Sequence, residues 1–135
     1  MLNQKVALRI VAVAAALAGL LLLAGGLGHL QAVVNVKNVH DRPFDSRFVH
    51  LLAIGVILLL VGGIDLVSSW RMWRGSQYAL LLSAVATVVL VVYFVVLLAL
   101  PERGDPIRFF LFMQSSYLAV ASAGGLYVFT RRTAV

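Results

Sequence analysis

An aspartate inside a long apolar run is the residue of this sequence best suited to chemistry. Asp65 lies in the stretch 48–70, which holds no other Asp, Glu, Lys or Arg. If this stretch is a helix centred near Leu60, a rise of 1.5 Å per residue places Asp65 roughly 8 Å from the centre. A charge in the middle of a membrane helix costs about 2.5–3.5 kcal/mol on insertion scales. We therefore expect the carboxyl group to face other helices and to find a polar partner there.

The polar partners of Asp65 can be predicted from residues that lie at the same depth in the other apolar stretches, counted by the helical rise per residue. Ser83 and Ser122 fall at about the depth of Asp65, which predicts a layer Asp65–Ser83–Ser122. Gly62 and Ser69 recur on the same helical face as Asp65, so this face is expected to be the packed one. Three interpretations stay open: a site for a proton, ion, quinone or substrate, a protonated or hydrogen-bonded aspartate that locks the helix packing, or an aspartate that snorkels to the nearby membrane interface.

Gln114 and two histidines are the remaining candidates for chemistry. Gln114 begins a polar run, 114–117, near the middle of the last apolar stretch. It fits either an interhelical hydrogen bond or a ligand pocket. His29 and His50 are candidate metal or haem ligands at the ends of their stretches, but their spacing matches no ligand motif. No cofactor is predicted. The alternative of a bound haem or quinone would use these histidines, Tyr93 or Tyr117.

The amino-acid composition indicates the class of protein to which these residues belong. Of the 135 residues, 62% are hydrophobic and 12% are charged. A soluble domain has about 45–50% apolar and about 25% charged residues. This excludes a soluble enzyme, a disordered tail and a nucleic-acid-binding module, in spite of the net charge of +6. No nucleic-acid partner and no catalytic residue are predicted, and the absence of cysteine removes disulfides and thiolate metal sites.

Four stretches reach the roughly 20 apolar residues that a membrane-spanning helix needs. They are about 6–30, 48–70, 78–100 and 107–130. The predicted fold is an all-α integral membrane protein, a bundle of four transmembrane helices that forms a single domain over residues 1–135. Gly75 and Pro101 mark two of the connections between the helices.

The lysines and arginines predict the orientation of this bundle. One side carries six positive residues and no acidic ones, whereas the other carries five positive and four acidic residues. Because positive residues concentrate on the cytoplasmic side, both termini are expected in the cytoplasm. The bundle is expected in the cell (inner) membrane. The six residues are Lys5, Arg9, Arg71, Arg74, Arg131 and Arg132.

The layout resembles the DoxX-like group of small four-helix bacterial membrane proteins. The residues that carry the resemblance are the run 25–30 (Gly-Gly-Leu-Gly-His-Leu), Gly62-Gly63 followed by basic residues, and the stretch 112–125 of the last helix. DoxX-like proteins often have a lysine where His29 stands and a glutamate in the second helix, whereas this chain has an aspartate, Asp65, later in that stretch, so no functional residue is carried over from the family. The resemblance implies a small subunit that works beside a membrane or peripheral redox enzyme.

Three functions remain open at this point. The first is a non-catalytic accessory or scaffold subunit of a larger membrane complex, whose partners are the lipid bilayer and other membrane subunits or copies of itself. The second is a homo-oligomeric small-solute or proton-coupled transporter that uses Asp65. The third is a membrane anchor that binds haem or quinone.

Overall fold

Four long helices make up the part of the chain that the structure describes. In this computed structural model, the described residues are 3–39, 46–99 and 106–133. They form α1 (Gln4–Val39), α2 (Ser46–Trp73), α3 (Gln77–Ala99) and α4 (Pro106–Thr133). Each helix contains a span long and apolar enough to cross a membrane. This confirms the expectation of an all-α fold with four candidate membrane spans.

The first helix is longer than predicted. It continues to Val39 instead of ending near Leu30. The prediction placed its end where hydrophobicity falls, which marks the edge of a membrane and not the end of a helix. Residues 31–39 contain neither proline nor glycine, so nothing in them breaks the backbone hydrogen bonding. The second helix begins at Ser46, and the predicted loop residues 40–45 lie outside the described part.

The connection between α2 and α3 is a tight turn at the predicted glycine. Gly75 has a φ of +102°, a conformation that side chains disfavour and glycine allows. Its N–H donates to the carbonyl of Met72, and the N–H of Ser76 donates to that of Arg71, both at 2.9 Å. This pair of bonds is a Schellman motif, which satisfies the last carbonyls of α2 and reverses the chain.

The helices form a ring in which each packs against the next and α4 closes against α1. The most extensive of these interfaces joins α1 to α2. Glycines on both helices allow it: a Cβ placed on Gly19 would lie 2.9 Å from the carbonyl oxygen of Gly62. A Cβ on Gly26 would lie 3.0 Å from that of Gly55. Small residues at such crossings let the two backbones come close.

One hydrogen bond continues the same antiparallel register. The Ser69 hydroxyl on α2 donates to the carbonyl oxygen of Ala12 on α1 at 2.6 Å. This contact lies seven residues before Gly19 on α1 and seven after Gly62 on α2. The α1–α2 interface therefore repeats every seven residues.

Two adjacent glycines give a matched test of this close approach. Gly62→Ala is expected to lower the free energy of unfolding by about 1–3 kcal/mol, because its Cβ would meet the backbone of α1. Gly63→Ala meets no atom within 4 Å, and alanine is the better helix former, so this variant is expected to be neutral or stabilising. Reversible unfolding in detergent measures both, and equal effects would contradict the packing described above.

Candidate functional site

Three side chains from three helices meet inside the bundle. Asp65 of α2 and Ser83 of α3 are fully buried, and Tyr117 of α4 is nearly so. The Ser83 hydroxyl donates to Oδ1 of Asp65 at 2.7 Å. The same hydroxyl oxygen is hydrogen-bonded to the hydroxyl of Tyr117. Ser83 thus joins the carboxylate to the phenol.

The hydrogen bonds define a direction in this chain of groups. A serine hydroxyl has one proton to donate, and here Asp65 accepts it. The hydrogen bond with Tyr117 therefore uses the phenol proton, so donation runs from Tyr117 to Ser83 to Asp65. Such a row of hydroxyl groups can hold a charge on the carboxylate or pass a proton along its length.

Three further buried polar residues lie about one helical turn from these side chains, and we call the six residues together the polar cluster. Ser68, Thr87 and Gln114 are also fully buried. Thr87 satisfies its hydroxyl by donating to the carbonyl oxygen of Ser83 at 2.8 Å. In the described part of the chain, no hydrogen-bond partner is found for Oδ2 of Asp65, the Ser68 hydroxyl or either amide atom of Gln114. The cluster therefore has hydrogen-bonding capacity that the described residues leave unused.

Apolar side chains close the polar cluster at both ends. One buried group lies toward the α2–α3 turn and includes Leu8, Met72 and Leu80. The other lies toward the opposite end and includes Leu22, Leu58 and Phe94. These two apolar groups keep the polar cluster in surroundings of low polarity. Its hydrogen bonds are therefore stronger than in water, and each polar atom without a partner costs more free energy.

The predicted position of Ser122 in this layer is wrong. Ser122 is exposed on α4, and Tyr117 occupies the place expected for it. Depth counting estimates a level along the bundle but not the direction in which a side chain points. Five residues at 100° each place Ser122 about 140° around the helix from Tyr117. Depth counting also placed Ser122 level with Ser83, whereas the hydrogen bond between Ser83 and Tyr117 places Tyr117, five residues earlier on α4, at that level.

The other candidate residues are not gathered around this cluster. The Nδ1 of His29 is 2.8 Å from the carbonyl oxygen of Gly25 on its own helix, and the side chain of His50 lies outside the described part. Tyr93 is ten positions from Ser83 on α3, which is about 15 Å along the axis. Within the described residues, no group of three or more His, Asp or Glu side chains is placed to hold a metal.

Sequence reasoning missed two members of the cluster, Ser68 and Thr87, and did not place Tyr117 in it. A periodic signal was available for α4. Gln114, Tyr117 and Ala121 recur at intervals of three and four, and all three face the interior. Ser68 is likewise three residues from Asp65. These intervals identify one face per helix, whereas the pairing between helices required the structure.

Besides the polar cluster, the outward face of α4 is unusual for an apolar helix. It carries small and hydroxyl-bearing residues, all exposed: Ser115, Ser116, Ala119, Ser122 and Ala123. Beside it, an apolar groove of about 300 Å³ runs between α1 and α4, lined in part by Ala7, Ala123 and Gly124. We call these residues and the groove the α4 face.

Two serines give a matched test of the polar cluster. Ser83→Ala is expected to cost about 1–3 kcal/mol of unfolding free energy, because it leaves Asp65 and Tyr117 without their shared partner. Ser122→Ala removes the same hydroxyl from an exposed position and is expected to change stability by less than about 0.5 kcal/mol. Unfolding in detergent compares the two, and an equal loss would show that Ser83 is not a structural link.

No protein-family model, curated protein or solved structure matches this chain. The resemblance to DoxX-like proteins accordingly stays a hypothesis.

Proposed function

We propose that this protein is a non-catalytic accessory or scaffold subunit that docks a membrane helix of a larger complex against its α4 face. The observation that supports this proposal is that α4 is the most polar of the four spans and yet the least buried. Of the four spans, that of α4 has the lowest mean hydropathy, yet the smallest share of it is buried within the bundle. A helix that faces only lipid gains nothing from serines on its outer side.

The shape of the α4 face supports the same proposal. Association of helices in a membrane depends on close packing and hydrogen bonds, since lipid is as apolar as the side chains. Small residues such as Ala119 and Ala123 allow a partner backbone to approach closely. The hydroxyl of Ser116 already donates to the carbonyl oxygen of Phe112 at 2.9 Å. Its remaining lone pairs are available to a donor on the partner.

The setting that we propose follows from the charges and from the resemblance. The bundle would lie in the cell (inner) membrane with both termini in the cytoplasm, since the positive side carries Lys5, Arg9, Arg71 and Arg74. The resemblance to DoxX-like proteins favours a redox enzyme as the partner. In this setting the polar cluster of Asp65 holds three helices together, so that α4 presents a defined surface.

A bulky residue on the α4 face should break the complex without unfolding the bundle. Ala119→Trp is expected to weaken association by about fivefold or more, since overpacking costs about 1–3 kcal/mol. The measurement is native mass analysis after mild-detergent extraction from the membrane in which the protein is naturally made. We expect the unaltered protein to co-purify with a larger, different subunit.

Leu81→Trp is the matched control for this variant. The hydrogen bond between Ser83 and Tyr117 sets the register of α3 against α4, and it places exposed Leu81 level with Ala119. This control should leave the complex intact. A monomer, or only copies of this chain, in the unaltered sample would contradict the accessory role, as would equal losses in the two variants.

Proton-coupled transport by a homo-oligomer is a second candidate, favoured by one observation. Oδ2 of Asp65 and both amide atoms of Gln114 are buried without partners in the described part of the chain. Ionisable residues inside membrane spans commonly mark proton or ion pathways. The hydroxyls of Ser83 and Tyr117 would form part of a relay to the carboxylate.

The transport candidate predicts that Asp65→Asn abolishes proton uptake by liposomes that contain the protein. An amide has the shape of the carboxyl group and still accepts from Ser83, so the fold should persist, but it does not carry the exchangeable proton. A dye trapped inside the liposomes reports the change in pH after an outside acid jump. Ser122→Ala serves as the control with normal uptake. Equal uptake by the Asn variant would rule out this candidate.

A further inference from the structure

A small pocket at one end of the bundle is lined by positive side chains. It has a volume of about 130 Å³ and lies where α1 begins and the α2–α3 turn closes. Lys5 and Arg9 of α1 and Arg74 of the turn line it. This volume is several times the roughly 30 Å³ that a water molecule occupies in the liquid. The pocket therefore has room for a phosphate group.

Aromatic rings hold two of these cations in place. The guanidinium of Arg9 lies 5.0 Å from the ring centre of Trp73, and that of Arg74 lies 4.8 Å from that of Trp70. The contact of Arg9 with Trp73 joins α1 to α2. Cation–π contacts at exposed sites contribute about 0.5–1 kcal/mol each. They orient the guanidinium groups beside the pocket before any ligand arrives.

No carboxylate neutralises these cations in the described part of the chain. Asp65 is the one acidic residue within the described ranges, and it is buried in the polar cluster. Asp65 is nine positions from Arg74 along the chain, which corresponds to about 13 Å of helix. The pocket is thus a site of positive charge that lacks a counter-ion from these residues.

An apolar groove continues from this pocket toward the middle of the membrane spans. It has a volume of about 350 Å³ and runs along the seam of α1 and α2, lined by residues that include Val13, Leu17, Leu66 and Trp70. Trp73 lines both the pocket and the groove, so the two adjoin. The hydroxyl of Ser69 in the groove is already bonded to α1.

We propose that the pocket and the groove together bind one anionic phospholipid. The phosphate lies among Lys5, Arg9 and Arg74, and one acyl chain descends along the groove past Trp70. The order of the two sites matches the order of the two parts of a lipid. The charged part is at the end of the spans, where headgroups lie, and the apolar part is at the depth of the hydrocarbon. Basic pockets between membrane helices bind anionic headgroups in this way.

The two tryptophans of the chain make this site directly measurable. Trp70 and Trp73 are the whole tryptophan content, and both line the groove. Bromine atoms on an acyl chain quench tryptophan fluorescence at contact. We would titrate the protein, in vesicles of ordinary phosphatidylcholine, with brominated phosphatidylglycerol or with phosphatidylcholine that carries the same brominated chains. The anionic lipid is expected to quench at an at least about fivefold lower mole fraction.

Two neighbouring arginines distinguish a pocket from general surface charge. Arg74→Gln is expected to weaken the preference for phosphatidylglycerol about fivefold, as removal of one effective cation should. Arg71→Gln removes the same charge three residues away, from an exposed side chain that does not line the pocket, and should change the preference by less than about twofold. Equal losses, or no preference for the anionic lipid, would overturn the proposal.

A competition experiment distinguishes a bound lipid from a bound free phosphate ion. Inorganic phosphate is added while the brominated phosphatidylglycerol is bound. If the groove holds an acyl chain, phosphate leaves the quenching unchanged. Full recovery of fluorescence with phosphate would assign the pocket to a free phosphate group and would overturn the assignment of a lipid.

Discussion

A carboxyl group among apolar helices must be hidden from lipid, and the arrangement of this bundle follows from hiding Asp65. Burial is complete because α1 presents Gly19 at that level: a Cβ there would lie 3.1 Å from the Cβ of Asp65. On the other sides α3 and α4 supply hydroxyl groups. Around Asp65 of α2, α1 therefore gives space, α3 donates a hydrogen bond to the carboxyl group, and α4 bonds to that donor.

The same constraint explains which parts of the structure could be predicted. Four apolar stretches of sufficient length predict four helices, because lipid offers the backbone no hydrogen-bond partners. The need of Asp65 for a polar neighbour, together with depth, leads to Ser83 directly. Gly75 predicts the turn between α2 and α3 because its backbone conformation is a local property.

What could not be predicted depends on rotation and shift of one helix against another. Depth along the bundle allows either Tyr117 or Ser122 as the partner of Ser83, and the rotation of α4 about its axis decides between them. The intervals between Gln114, Tyr117 and Ala121 indicate the inward side of α4, but they do not say which residue of another helix each side chain meets. The end of α1 was missed for a different reason, since hydrophobicity reports the extent of the membrane and helices continue past it. The pairing of Gly19 with Gly62 is likewise a matter of register, which the sequence of either helix alone leaves open.

The seven-residue spacing between α1 and α2 has a mechanical consequence. Contacts that repeat every seven residues wind two helices into a left-handed supercoil. Small residues meet small residues only in registers that differ by whole repeats, which is about 10 Å of sliding. Lesser displacements would drive larger side chains into the glycine backbone. The contacts of α1 with α2 therefore oppose sliding of these two helices along their axes.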